Sequence, residues 1–496
     1  MATKSPTAKI IFGLKVKQLR TRRKMSFTDL AAASGMSPSY LNEIEKGKKY
    51  PGPKKIPVLA EALGVSASEL QQLTLYGELS PVGELLSSNF LNELPLDLFK
   101  IELSRIIEII AKAPSEVGAF ITTLVDIARN YALREENFYF AALRSYLEMH
   151  HNYFEHLEQE VDRFVQEYGL SDTILTSSVL RKILEVNFGY EIQEDGLSEH
   201  EALSHVRAVY LPKKRQFLLN GGLNEGQRLF QFGKELGFNF LGLEDRALTS
   251  SLMRVRGFGE VLSHFKAGYF SAALLIDRRR FVSDLKQIFE KPTWDGESIT
   301  YLMQKYRASP ETIFQRMTNL LPQDFGIRKI FFFRFTHDTN NNSFKIDKEI
   351  HLDRKHIPHG NGLREHYCRR WLSTSLLEDL HSMQREGIYV SNLVGVQRNR
   401  YYGDDADYLI ITLARAHHSL SGRNVSVSFG MLIDEDLKRQ VHFWDDPNIR
   451  SRVVNTTCER CPIEDCDVRA AAPKVIEKKE RRRAVQTALK RLTGEK

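Results

Sequence analysis

Apolar residues in the first seventy positions recur at helical spacing, in sets too short for one long helix and separated by turn formers. Ile10, Leu14, Val16 and Leu19 predict a helix ending near Arg23. A short helix follows over residues 27–34, and Gly35 breaks it at a position suited to left-handed backbone. Ser37 then has the character of an N-cap, with Pro38 at the first helical position. Leu41 and Ile44 face a core from that third helix, Gly47 ends it, and Leu59, Ala60, Leu63 and Leu70 belong to closing helices. Residues 76–168 read as largely helical. The run FKIELSRIIEIIAKAP has heptad-like spacing and stops at Pro114, and one long helix then carries Tyr139, Leu143, Tyr146, Leu147, Phe154 and Leu157. From residue 169 to 325 the pattern is mixed α+β, with an amphipathic helix in LLNGGLNEGQRLFQFGKELGFNFLGL. Residues 326–466 turn to strands: IRKIFFFRF, DYLIITLARA and VSVSFGMLID.

This predicts a multidomain chain. An all-α domain at residues 8–75 and a helical linker or dimerisation region at 76–168 precede an α+β domain at 169–325. A second α+β domain follows at 326–473, then a basic tail at 474–496. A length of 496 residues is too great for one core and supports that division. No apolar run approaches the roughly 18 residues of a membrane span, and the first twenty residues lack a secretory leader, so the cytoplasm is the expected compartment.

Charge changes the picture more than composition does. Residues 1–70 hold 13 basic against 5 acidic residues, and residues 474–496 hold 9 against 3, although the net charge is only +7. Positive ends on a negative middle suit a polyanion partner. In the string LRTRRKMSFTDLAAASGMSPSYLNEIEKGKKYP, Ser37, Ser39, Tyr40 and Asn42 lie away from Leu41 and Ile44 and can reach base edges, while Lys46, Lys48 and Lys49 suit phosphates. The string resembles the lambda-repressor/Cro-like (XRE) helix-turn-helix family over about 62 residues, through Leu19-Arg20, Leu30-Ala31, Gly35-Met36-Ser37, Tyr40-Leu41, Ile44-Glu45, Gly47 and Pro51. The resemblance implies DNA binding as a dimer on an operator and a buried structural pair between Arg20 and Glu45. Phe27 departs from the family's Gln, which removes one backbone contact.

A second stretch, LNEGQRLFQFGKELGFNFL, resembles the helix of ImmA/IrrE-like metallopeptidases that carries His-Glu-x-x-His. Here those positions are Lys234, Glu235 and Phe238. Lysine and phenylalanine cannot replace two neutral imidazoles as zinc ligands, so no catalytic residue is assigned and the domain is expected to pack or sense rather than cleave.

The four cysteines, Cys368, Cys458, Cys461 and Cys466, fall in the last domain, three of them in CERCPIEDC. Four thiolates suit zinc or an iron–sulfur cluster, and so few cysteines argue against a disulfide scaffold. The order of domains together with CERCPIEDCDVRAAAP, and with Cys368 ahead of Trp371, resembles the short-chain fatty acyl-CoA regulator family. That implies an acyl-CoA effector and control of fatty-acid or related carbon metabolism. Arg364, Arg369, Arg370, Arg398 and Arg400 are candidate phosphate partners, with Tyr401 and Tyr402 to stack on adenine. Alternative readings are an iron–sulfur redox or iron sensor, an ImmA-type protease, against which the missing histidines speak, and a phage-type switch, for which the chain is too long.

Overall fold

The computed structural model describes residues 6–73, 75, 135–171, 173–250, 255–351, 365–417 and 422–493. The chain divides into two compact units, Met1–Ala142 and Leu143–Lys496, so residues 169–325 and 326–473 share one unit. The run ending at Pro114 and Arg364 lie outside the described residues.

Among the described residues of the first unit, five helices surround one core: α1 (Pro6–Arg22), α2 (Phe27–Ser34), α3 (Pro38–Glu45), α4 (Lys55–Ala62) and α5 (Ala67–Gln71). Local signals set each boundary. The Ser26 side chain accepts from the Asp29 amide while the Asp29 carboxylate accepts from the Ser26 amide, a reciprocal cap on α2. Gly35, at φ +63°, ends that helix in left-handed backbone. Ser37 accepts from the Tyr40 amide at 3.2 Å, and Pro38 opens α3. Leu30, Leu41, Ile44 and Leu59 are fully buried together, each worth about 1.5–3 kcal/mol of transfer free energy. From α1 it is Phe12 and Val16 that join this cluster, with Leu19 partly buried at its edge. A Cβ at Gly13 would stand 2.2 Å from the Ile44 carbonyl oxygen, so the glycine permits the close approach of α1 to α3.

The expected long helix after residue 135 is two helices, α6 (Glu135–Met149) and α7 (Glu155–Glu167). Apolar spacing runs through the break unchanged, which hid it. His151 and Asn152 both take positive φ there, and buried Asn152 bonds Thr318 through its side chain at 2.7 Å. Next come α8 (Ser177–Phe188), β1 (Glu191–Gln193), β2 (Ala208–Leu211), β3 (Gln216–Leu219), α9 (Glu225–Phe240) and α10 (Phe258–Leu275). The three strands pair in the order β1-β3-β2, the first pair parallel and the second antiparallel. Helices α11 (Arg278–Phe289), α12 (Glu297–Lys305) and α13 (Pro310–Leu320) lead out of this region.

A six-stranded sheet follows. It contains β4 (Ile330–Asp338), β5 (Ser343–His351), β6 (Leu393–Tyr401), β7 (Asp407–Ala416), β8 (Arg423–Leu432) and β9 (Ser451–Val454), in the order β5-β4-β8-β7-β6-β9. Only β6 and β9 pair in parallel. Helix α14 (Leu372–Arg385) covers one face, where Leu376, Leu377 and Leu380 meet Tyr408, Ile410 and Ala414. On the other face Phe314 of α13 packs on Phe429. Both faces are covered, so β7 and β8 are buried at nearly every position. A short helix α15 (Glu435–Gln440) precedes β9. The basic tail is a helix, α16 (Lys474–Thr493), with no buried residue. None of the described helices is long and apolar enough to cross a membrane.

Candidate functional site

Helix α3 divides its residues cleanly. Leu41, Ile44 and Glu45 turn into the core; Ser39, Asn42 and Lys46 share the opposite face at i, i+3 and i+7. Ser37, Ser39, Lys46, Lys48 and Lys49 are exposed, and Tyr40 and Asn42 are half-buried. Tyr40 does not stand free: the Lys55 ammonium lies 4.3 Å from its ring centre and that of Lys49 5.8 Å. Lys49 is also 3.8 Å from Glu43. The expected Arg20–Glu45 pair is present and forked, at 2.6 and 3.0 Å, with Glu45 buried and Arg20 half-buried. The Arg20 guanidinium also stacks 4.2 Å above Phe27, which gives that departure from the family pattern a packing role. Sequence reasoning missed Lys15. Its buried ammonium donates to the carbonyls of Glu69 and Gln72 at 2.9 and 2.6 Å, closing the end of α5. Burial pushes its pKa down, with Glu69 opposing.

Lys234, Glu235 and Phe238 of α9 lie in a buried ion network. Glu235 is gripped by both Arg246 nitrogens at 2.7 and 2.8 Å and accepts from the Tyr190 hydroxyl at 2.6 Å. The Arg246 guanidinium lies 4.2 Å from the ring centre of Phe238 and 4.1 Å from that of Tyr210. Lys234 donates to the Ser250 carbonyl at 2.9 Å and touches Nε2 of His264. Burial drives the Lys234 ammonium well below its usual range, with Glu235 opposing and nearby cations adding to the fall. His264 is likewise pushed down, first by burial and then by Lys234. The sequence pattern gave no sign of His264, because it faces Lys234 from another helix, 30 positions on.

The four cysteines gather at the end of the six-stranded sheet. A bridge between Tyr367 and Thr457 brings Cys368 beside Cys458, and the Cys458 amide donates to the His366 carbonyl at 2.8 Å. Cys368, Cys458 and Cys461 are buried and Cys466 is half-buried, all as free thiols. Burial raises the Cys368 thiol to about 11, with Cys458 and Cys461 near enough to add to the effect. The Ala470 amide donates to the Cys458 sulfur at 3.4 Å, and Arg469 holds the carbonyls of Cys458 and Cys461 at 3.0 and 3.3 Å. Four thiols in one neighbourhood, with N–H donors turned toward them, suit a thiophilic metal or cluster. Among the described residues, however, no group of three or more His, Cys, Asp or Glu side chains is posed to hold a metal ion.

A helix-turn-helix family model matches residues 16–70. The N-terminal unit therefore contains an XRE-type helix-turn-helix. The chain is 24% identical over 343 residues to the HTH-type transcriptional regulator RamB of two Mycobacterium tuberculosis strains, an alignment covering 63% of this chain. That alignment takes in 66% of the length of RamB. A solved Mycobacterium tuberculosis transcriptional regulator is 19% identical, with a TM-score of 0.47 over 67% of this chain and 93% of its own.

Outside the helix-turn-helix, the basic candidates on the sheet do not converge. Arg369 is buried over the Phe344 ring, 3.9 Å from its centre, and pairs with Glu378 at 3.2 Å. Arg370 reaches the Asp465 carbonyl, and exposed Arg400 pairs with Asp407 at 3.1 Å. Arg398 is half-buried, its Nε without a hydrogen-bond partner. Tyr401 is 5% exposed and packs edge-on against Tyr408, whereas Tyr402 is exposed.

Proposed function

We propose that this chain is a sequence-specific DNA-binding transcription regulator whose second unit responds to a short-chain acyl-CoA and thereby controls fatty-acid or related carbon metabolism. The observation that carries the DNA-binding half is the polar face of α3. Ser39, Asn42 and Lys46 stand opposite a fully buried Leu41 and Ile44, with Lys48 and Lys49 exposed beside them. A helix presented this way fits a major groove, with lysines left for phosphates. A symmetric dimer on two half-sites is the matching assembly. The name of the RamB relative supports regulation. No peptidase activity is proposed, because Lys234 and Phe238 stand where zinc ligands are needed and Glu235 is locked by Arg246.

Cys368, Cys458, Cys461 and Cys466 would hold an iron–sulfur cluster, or a zinc ion in its place. A cluster would add a redox input to the same regulator. Elemental analysis of anaerobically purified protein separates the two: about four irons with sulfide support a cluster, one zinc supports a structural site, and no metal rules out both. For the DNA-binding half, selection from random duplexes by the full chain should yield one two-half-site motif, and a pool with no enrichment contradicts the proposal.

A further inference from the structure

The second unit gathers cations around one half-buried carboxylate, and they come from separate elements. Glu311, near the start of α13, lies 3.1 Å from Lys348 of β5 and 3.8 Å from Arg334 of β4. Arg334 and Lys348 face each other across the β4–β5 pair. Burial disfavours the ionised Glu311, but Lys348, Arg334 and Arg207 outweigh it and hold the carboxyl at about 2. Arg207, just before β2, and Arg334 also lie close enough to act on Arg415, whose pKa is lowered first by burial, and on His417, which burial and then the same two arginines push down to about 4. Lys348 and Arg207 act in turn on buried Lys234. Arg207, Arg334, Lys348 and Arg415 therefore converge on a single neighbourhood that reaches back to the α9 network.

The compensating negative charge is short. Glu235 is already taken by Arg246, and Asp347, which acts on His417, pairs with Lys345 at 3.8 Å and accepts from Thr336. Glu311 is left to face four cations. Arg207 and Lys348 are exposed and Arg334 and Arg415 half-buried, so like charges gather on an accessible surface where an incoming anion would relieve their repulsion. Beside the cluster, buried Nδ1 of His264 has no hydrogen-bond partner, and Lys348 acts on that ring as well. We infer that Arg207, Arg334, Lys348 and Arg415 form a binding site for a small molecule carrying two or more phosphates, whose anionic end joins the three-stranded region to the six-stranded sheet. The site stands on this cluster, while naming its ligand an acyl-CoA rests on the effector reading above. Guanidinium forks match phosphate oxygens in geometry as well as charge, and the cations come from both sides of the junction. A bound polyphosphate would thus draw the two regions together, giving an effector a structural consequence.

The test is calorimetric titration of the full chain with inorganic pyrophosphate and, separately, with a short-chain acyl-CoA. Arg334→Gln combined with Lys348→Gln should weaken pyrophosphate binding by at least about tenfold, because two charge-assisted contacts are lost. Glu311→Gln should tighten it several-fold, a gain that a folding defect cannot imitate. Absence of saturable pyrophosphate binding, or unchanged affinity in both variants, overturns the site. If acyl-CoA binds the wild type and the double variant equally, the site is wrong while the effector reading stands. If pyrophosphate behaves as expected and acyl-CoA does not bind, the site stands and the effector class falls.

Discussion

Helices α3 and α9 both carry a motif that sequence alone ties to a known chemistry, and the fold treats them in opposite ways. In α3 the apolar residues are consumed by the core and the polar ones are left outside, so the chemistry faces a partner. In α9 the residues from Gln231 to Phe238 are all buried, so the charges of Lys234 and Glu235 are satisfied from within. A motif's function therefore follows from which groups its surroundings leave unanswered. The helix-turn-helix keeps its surface free because Arg20 and Glu45 answer each other in the interior. Helix α9 spends its glutamate on an arginine and its lysine on a carbonyl.

That contrast can be broken most forcefully at α9. Arg246→Ala leaves Glu235 buried without its partner and should lower the stability of the second unit by about 3–5 kcal/mol, read by denaturant unfolding. A loss below 1 kcal/mol would mean that the network is not buried as described. In the first unit, Leu41→Ala removes a fully buried side chain and should cost about 2–5 kcal/mol, with DNA binding lost only through unfolding. Ser37→Ala sharpens the comparison further. Ser37 caps α3, so its loss should cost about 1 kcal/mol of helix stability. Asn42→Ala should do the reverse, shifting base preference with little change in melting temperature. Exchange of those two outcomes would reassign the base-reading face.

Much of the first unit was legible because its signals are local. Gly35, Ser37 and Pro38 mark a turn and a helix start within four residues, and Leu41 and Ile44 mark the buried face. Strands β7 and β8 were legible for the same reason, through the run YLIITL and the alternating VSVSF. Strands β5 and β6 were not, since KIDKE and VQRNR look like solvated loop. The break between α6 and α7 was hidden by continuous apolar spacing and by two residues in left-handed backbone that carry no glycine. The cysteine neighbourhood was legible in its members: CERCPIEDC gave three, and Cys368, the one other cysteine of the chain, gave the fourth. The cationic cluster was invisible, because Arg207, Arg334, Lys348 and Arg415 lie on elements scattered over two hundred positions and only the fold brings them near Glu311.

The measurement that bears most directly on the central claim is the salt dependence of duplex DNA binding by the full chain, wild type against Lys46→Glu combined with Lys48→Glu. The account predicts an affinity that falls linearly with salt on logarithmic axes, a weaker affinity for every sequence in the variant, and a slope smaller by about two. Equal affinity and equal slope in the two proteins would contradict it.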